Sequence, residues 1–536
     1  MKNRIIDVIA RFWFVLLIIF CCVVLSIRFV SGQTLEIKDA RRLIEVDQTG
    51  KAINVLSNAA KTYPTSSIVW YHLAMAQVKN GQRDLATNSL DKGISLDNKE
   101  PMNYVGRGYL SMLENNAQKA QLDFDQALSL TKSKNVSVLR GIAEAYLVDS
   151  KLAGKAVELA TKAKSIDDHD PQTLVVLGDA YLAQNNGGLA VTNYESAAAL
   201  DTKLALPHYK IGLVYLRSRN FTSAQEAFTK AIEIDPGYTL AYKELGELYY
   251  QMKNGEKAVK AYETYLSLTD KPEIGKLRYA FFLFMAKDFA KANELFRDLI
   301  KNENVSTITL RFYAFSLYEA GDYTESRNVF EQYFSKSPQE EIEANDYSTY
   351  AKLLLKQNED SLAIIQLRKS LAMDGKQPEV MQSLAETLFK TKKYPEAIVA
   401  YNNLMAVRSR PTSQDYYTLG RAYYFNSQFS EADSIFLKLI ELQPNMTVGY
   451  LWEARTKSNL DPESVNGLAK PYYEKLIEKA SATPEKNKND LVEAYSYLGY
   501  YHLLKEEPIV SKSYWKKVLE LSPSDAKAKE ALKAIN

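Results

Sequence analysis

Four histidines, two adjacent cysteines and scattered carboxylates are the side chains of this sequence best suited to chemistry. His72, His208 and His502 fall inside stretches of helical apolar periodicity, where an imidazole serves packing. His169 differs. It sits in Asp167-Asp168-His169-Asp170-Pro171, a turn with the donor set of a divalent-cation site. The same residues also make an ordinary helix end, with Asp capping and Pro opening the next helix, and that reading outweighs a metal. Gly178 to Gly188, GDAYLAQNNGG, is glycine-rich, but it reads as a small packing residue followed by a turn and is a weak phosphate signal. Cys21 and Cys22 lie in the leading apolar run, so a processed chain would hold neither thiol nor disulfide, which is compatible with an oxidising compartment. No nucleophile motif, phosphate loop or metal-spaced Cys/His set is present, and neither catalysis nor a cofactor is expected.

The elements that position these residues repeat. From Leu206 to Pro236, LPHYKIGLVYLRSRNFTSAQEAFTKAIEIDP, the residues His208, Ile211, Gly212 and Tyr215 fall at helical spacing. The pattern breaks at Arg219-Asn220, resumes with Ala224, Phe228 and Ala231, and stops at Asp235-Pro236. Two short helices therefore form one hairpin. Gly212 and Ala224 let the backbones approach, while Tyr215 and Phe228 fill the flanking space. Gly212, Gly246, Ala280 and Ala314 recur every 34 residues, and Ala224, Ala258, Ala292 and Ser326 answer them in the same period. At 536 residues the chain exceeds one conventional core. A repeat array removes that limit, because each hairpin buries its apolar face only against its neighbours.

The order of small and bulky residues resembles the tetratricopeptide repeat, whose W/L-G-Y…A-F-A-P pattern is met at nearly every position. The resemblance implies an all-α, right-handed α-solenoid of about 14 hairpins with a C-terminal capping helix. It also implies a concave groove lined by the first helix of each hairpin, with residues three before, one after and four after the small position pointing inward. On that basis Tyr209, Tyr250, Phe281, Phe284, Phe315 and Tyr318 are candidate partner-binding rings, as are Tyr417 and Tyr424. Lys243, Arg311 and Arg421 are the candidate cations, and Tyr71 and Phe389 share the same offsets. Rigid rings with a few arginines suit a peptide surface, although tight curvature would sink part of them into the next repeat. The Lys-Asn clamp by which some members hold a chaperone's terminal carboxylate is not matched, since Lys243 is followed by Glu247.

The chain opens with a net-positive stretch to Arg11, then a run from Phe12 to Ile27 that is apolar except for Ser26, then Val30-Ser31-Gly32 before Gln33. Residues 1–32 thus read as an export signal with a small-residue cleavage site. Extended to Val30, the run also reads as a membrane anchor. In both cases the basic end stays inside. The repeats would be periplasmic after cleavage, or anchored in the inner membrane and facing the periplasm. Repeats fill 33–334 and 346–480, with a polar connector at 335–345. A charged connector at 481–490 precedes the last hairpin and capping helix, 491–536. Both connectors are expected to be hinges or ligand-adjacent loops.

The formal charge of +2 is concentrated where Lys2, Arg4, Arg11 and Arg28 face only Asp7, so the repeats offer no basic stripe for nucleic acid. No stretch is left over for a catalytic domain. The expectation is a non-enzymatic scaffold. Resemblance to exported bacterial repeat proteins implies envelope proteins as partners, held by an extended or helical segment. Polysaccharide or peptidoglycan is the alternative occupant of an aromatic groove.

Overall fold

The computed structural model describes residues 33–535, and the proposed signal or anchor segment, Phe12 to Val30 included, lies outside them. Every regular element among the described residues is a helix, and consecutive helices pack in pairs. The first pair joins 33–45 to Thr49–Thr62, and the fourteenth joins Lys488–Leu504 to Pro508–Leu521. Ala526–Ile535 then covers the end of the stack. This is the all-α solenoid of fourteen hairpins with a capping helix that the period predicts.

One contact organises each hairpin. A ring on the second helix sits on the small residue 16 positions earlier: Phe124 on Gly108, Tyr194 on Gly178, Phe228 on Gly212, Phe436 on Gly420. A Cβ added at these glycines would lie 2.3 to 2.6 Å from the ring, closer than van der Waals contact permits. The ring occupies the place of the missing side chain, and all four rings are fully buried. The turn within the hairpin uses one residue in the left-handed region, such as Asn185 (φ 61°), Arg219 (58°) or Lys253 (57°). The next residue caps the second helix: Asn186, Asn220 and Asn254 each accept the N–H three residues on. Between hairpins an aspartate closes the turn, as when Asp201 accepts from Lys203 and Asp235 from Gly237.

The chain divides into two compact units, up to Glu303 and from Asn304 onward. The division falls between helices Phe289–Leu299 and Thr307–Ala320, a place that neither connector marks. In the first unit, of eight hairpins, the curvature brings the first hairpin back onto the seventh. Arg42 forks onto Asp235 at 2.6 and 3.1 Å, and Gln48 donates to the Leu268 carbonyl at 3.0 Å. Asp270 accepts the N–H groups of Gly50 at 2.6 Å and Lys51 at 3.2 Å, so it caps the helix Thr49–Thr62 from 220 residues away. Val46 is buried in the same cluster as Ala205, Tyr209 and Tyr238.

The second unit holds six hairpins. Its 335–345 connector contains a short 3-10 turn, Gln339–Glu341, and is pinned to the preceding hairpin. Arg311 donates to Asp346 at 2.7 Å and to Glu343 at 2.6 Å, and Thr307 donates to Glu341 at 3.1 Å. The 481–490 stretch is helical from Lys488, ahead of the start anticipated at 491, because Leu491 is already a core residue. No helix among the described residues is long and apolar enough to cross a membrane.

Candidate partner-binding surface

In the first unit one anticipated groove ring, Tyr209, is consumed by packing, whereas Tyr71, Tyr250, Phe281 and Phe284 keep partial exposure. Tyr209 is buried, with Phe228 at 5.9 Å and Tyr238 at 5.3 Å, and that burial raises its phenol pKa. Tyr71 is raised by burial as well, and it senses Glu144 and Arg140 of the fourth hairpin and Arg41 of the first. These groups converge on the inside of the closed turn. His72 lies against the Tyr71 ring at 4.9 Å, and burial, assisted by Arg41, lowers its pKa to about 4.

Near the end of the first unit the rings are half-buried. Tyr250 packs on Phe282 at 5.5 Å beneath the Arg278 guanidinium at 4.5 Å. Arg278 in turn holds Glu247 at 2.8 Å, so the carboxylate that spoils a clamp at Lys243 is bound by a different cation. Lys243 lies half-buried on the same helix, Thr239–Gln251. Phe281 meets Phe296 at 6.0 Å, and Phe284 meets Phe289 at 5.7 Å.

In the second unit Phe315 meets Phe330 at 5.6 Å and Tyr318 meets Tyr323 at 5.8 Å. Arg311 lies over Phe315 at 5.7 Å, but its fork is filled by Glu343 and Asp346. Asp346 is fully buried and also accepts from Tyr333 at 2.8 Å, which makes this group a structural lock.

Arg421 is differently placed. Its guanidinium lies 5.0 Å from the Phe389 ring, 5.2 Å from Tyr417, 5.3 Å from Trp452 and 5.9 Å from Phe425. These rings come from three successive first helices, Pro378–Lys390, Ser413–Phe425 and Thr447–Leu460. Tyr424 completes the wall against Trp452 at 5.2 Å, with its hydroxyl accepting from Asn459 at 3.1 Å. The structure therefore assembles Tyr417, Arg421 and Tyr424 into one cluster, whereas the remaining candidates stand apart from it.

Trp452, Phe425 and Arg278 escape the sequence rule. Trp452 and Arg278 sit two residues before their small residue and Phe425 five after, offsets that face the neighbouring hairpin's first helix instead of the open groove. A bulky or cationic residue at the minus-two offset was the available signal.

Other polar groups have structural roles or stand alone. Asp167, Asp168 and His169 are all exposed, and Asp167 accepts the His169 N–H at 3.0 Å as the turn reading expects. Glu453 is fully buried beside Asp433 and Lys457, with Lys457 at 2.6 Å from Asp433 and 3.7 Å from Glu453. Burial first, and Asp433 second, push the Glu453 carboxyl up to about 9. A proton on Glu453 gives this otherwise donor-less carboxyl a bond to Asp433. Surface depressions of about 350, 370 and 470 Å³ lie elsewhere, the first along the closure by Gly50 and Asp270.

Family models described as the tetratricopeptide repeat match residues 68–100, 215–280 and 416–446. No curated protein matches the chain. Among solved structures, the C-terminal part of a TPR repeat-containing protein from Cytophaga hutchinsonii is 35% identical, covering 48% of this chain and 99% of its own, with a TM-score of 0.40. A tetratricopeptide repeat protein from Parabacteroides merdae is 21% identical over 48% of this chain and 99% of its own, with a TM-score of 0.32. With the repeat signature in three separate segments and a relative of that identity spanned almost end to end, the chain belongs to the tetratricopeptide repeat family.

Proposed function

We propose that this protein is a non-catalytic scaffold of the bacterial cell envelope that holds a segment of a partner protein on the inner face of its second unit. The repeats themselves indicate a protein-interaction scaffold. The observation that carries the finer reading is the cluster around Arg421, where rings from three hairpins surround a cation and Phe425 stays 42% exposed. Rings around an arginine, half-buried or exposed apart from the buried Trp452, are the composition of a peptide-binding surface. Polysaccharide suits it less well. Sugar faces stack flat on open rings, whereas the Trp452 ring is buried, stacked on Phe436 at 23° and met by Tyr417, Tyr424 and Phe425 at 75°, 82° and 68°. The sequence of residues 1–32, read as an export signal or an anchor, supports a periplasmic position for the repeats, either free after cleavage or held at the inner membrane.

Panning a dodecapeptide phage library on the chain, immobilised through a C-terminal tag, tests the surface. Selected peptides that bind at least about tenfold more weakly to a Phe389→Ser, Tyr417→Ser double variant of unchanged helicity support it. Peptides indifferent to that variant overturn it. For the compartment, an alkaline phosphatase fused to the C-terminus is expected to be active, and an expressed but inactive fusion contradicts the placement.

A further inference from the structure

Resting on that reading of the second unit, we infer that Arg421 receives the carboxylate of an aspartate or glutamate side chain from within the bound segment. Four other arginines are already held by carboxylates. Arg278 holds Glu247, Arg311 holds Glu343 and Asp346, Arg408 holds Asp415, and Arg455 holds Glu493 at 2.7 and 2.9 Å. Arg421 forms no ion pair and no side-chain hydrogen bond among the described residues. Its Nε is sealed from water without an acceptor, while the two terminal nitrogens are not sealed. Rings stabilise the charge without using the fork, so two N–H donors remain directed at whatever enters.

The charge count selects the anion. Arg408 and Arg455, the flanking arginines, are committed to Asp415 and Glu493, so Arg421 is the one cation of the cluster left without a bonded carboxylate among the described residues. Glu386, one residue past the small Ala385 as Arg421 is past Gly420, is exposed and accepts from Gln382 at 2.8 Å. A single cation with a carboxylate nearby fits a planar monoanion and disfavours a phosphate dianion. Position selects an internal residue. The cluster spans the eleventh to thirteenth hairpins, with two hairpins of the same unit before it and one after, so a segment lying along this face continues in both directions. The flanking rings favour apolar or aromatic neighbours of the acid.

The test compares two synthetic dodecapeptide libraries, acetylated and amidated so that no terminal carboxylate exists, identical except for glutamate or glutamine fixed at position six. The full-length chain is expected to enrich the glutamate library about tenfold over the glutamine library, less in 0.5 M salt. Arg421→Gln should bring the ratio of the two libraries to about one, and Arg421→Lys should retain part of the preference. A purely structural Arg421 would instead lower both libraries together. Glu386→Gln, an exposed change, should widen the preference by removing the rival carboxylate. Equal binding of the two libraries overturns this inference and leaves the peptide-groove reading standing. If neither library binds, the groove reading itself fails. Arg421-dependent capture of trigalacturonic acid alone would show the anion to be a sugar and would overturn both.

Discussion

The two units are made of the same hairpin and use it to opposite ends. In the first, curvature brings the opening hairpin back onto the seventh, where Arg42 meets Asp235 and Asp270 caps a helix from a distant repeat. The inner ring of Tyr209 becomes core, packed on Tyr238. In the second, Tyr417, at the offset of Tyr209, remains half-buried beside Arg421, a cation with no carboxylate partner among the described residues. Whether an inward-facing aromatic is groove or core is therefore a property of the stack's curvature and not of the residue's place in the repeat.

If the hairpin code is common to both units, breaking it should cost the same in each. Gly212→Leu and Gly420→Leu drive a side chain into Phe228 and Phe436, and each should destabilise its own unit by about 3 kcal/mol, the upper range for overpacking. Hydrogen exchange read by mass spectrometry resolves the units, and a large cost in one with none in the other would break the shared code.

The units should part company in pH. His72 in the first unit has its folded pKa lowered from 6.5 to about 4, so its contribution is present above pH 6.5 and lost as pH falls toward 4. The loss is expected to be about 3 kcal/mol, and His72→Gln should remove it. Glu453 in the second unit has its folded pKa raised from 4.5 to about 9, so stability is highest below pH 4.5 and declines as pH rises toward 9. Glu453→Gln, which keeps a donor for Asp433, should flatten that decline. Acid sensitivity in the second unit and alkaline sensitivity in the first would reverse the assignment.

Smaller effects test the closure. Asp270→Ala removes acceptors from two helix N–H groups and should cost about 1 kcal/mol, seen as faster exchange at the start of Thr49–Thr62 with the second unit unchanged. Arg42→Ala should cost less, since Arg42 is 56% exposed. Unaltered exchange in both variants would mean that the first unit does not close in solution.

The hairpins were legible because their determinants are local. Gly212 and Phe228 lie 16 residues apart, and the turn needs only Arg219 and Asn220, so period and composition suffice to place them. The closure was not legible. Arg42 and Asp235, or Gly50 and Asp270, share no pattern that links them across some 200 residues, and their meeting sums small rotations over many hairpins. For the candidate surface, the offsets found Tyr417, Arg421 and Tyr424 but also selected Tyr209, which curvature buries, and Arg311, which Asp346 holds. Trp452 was missed because its offset points at a neighbouring helix, and only the stacked structure turns that contact into a wall.

The central claim, an available face around Arg421 on the second unit and a self-occupied one at the closure of the first, is tested most directly by site-specific photo-crosslinking in living cells. A benzophenone side chain would replace Tyr417 in one strain and Tyr71 in another. A discrete protein adduct is expected from position 417, weakened by Arg421→Gln, and none from position 71. An adduct from position 71 with none from 417 would contradict it.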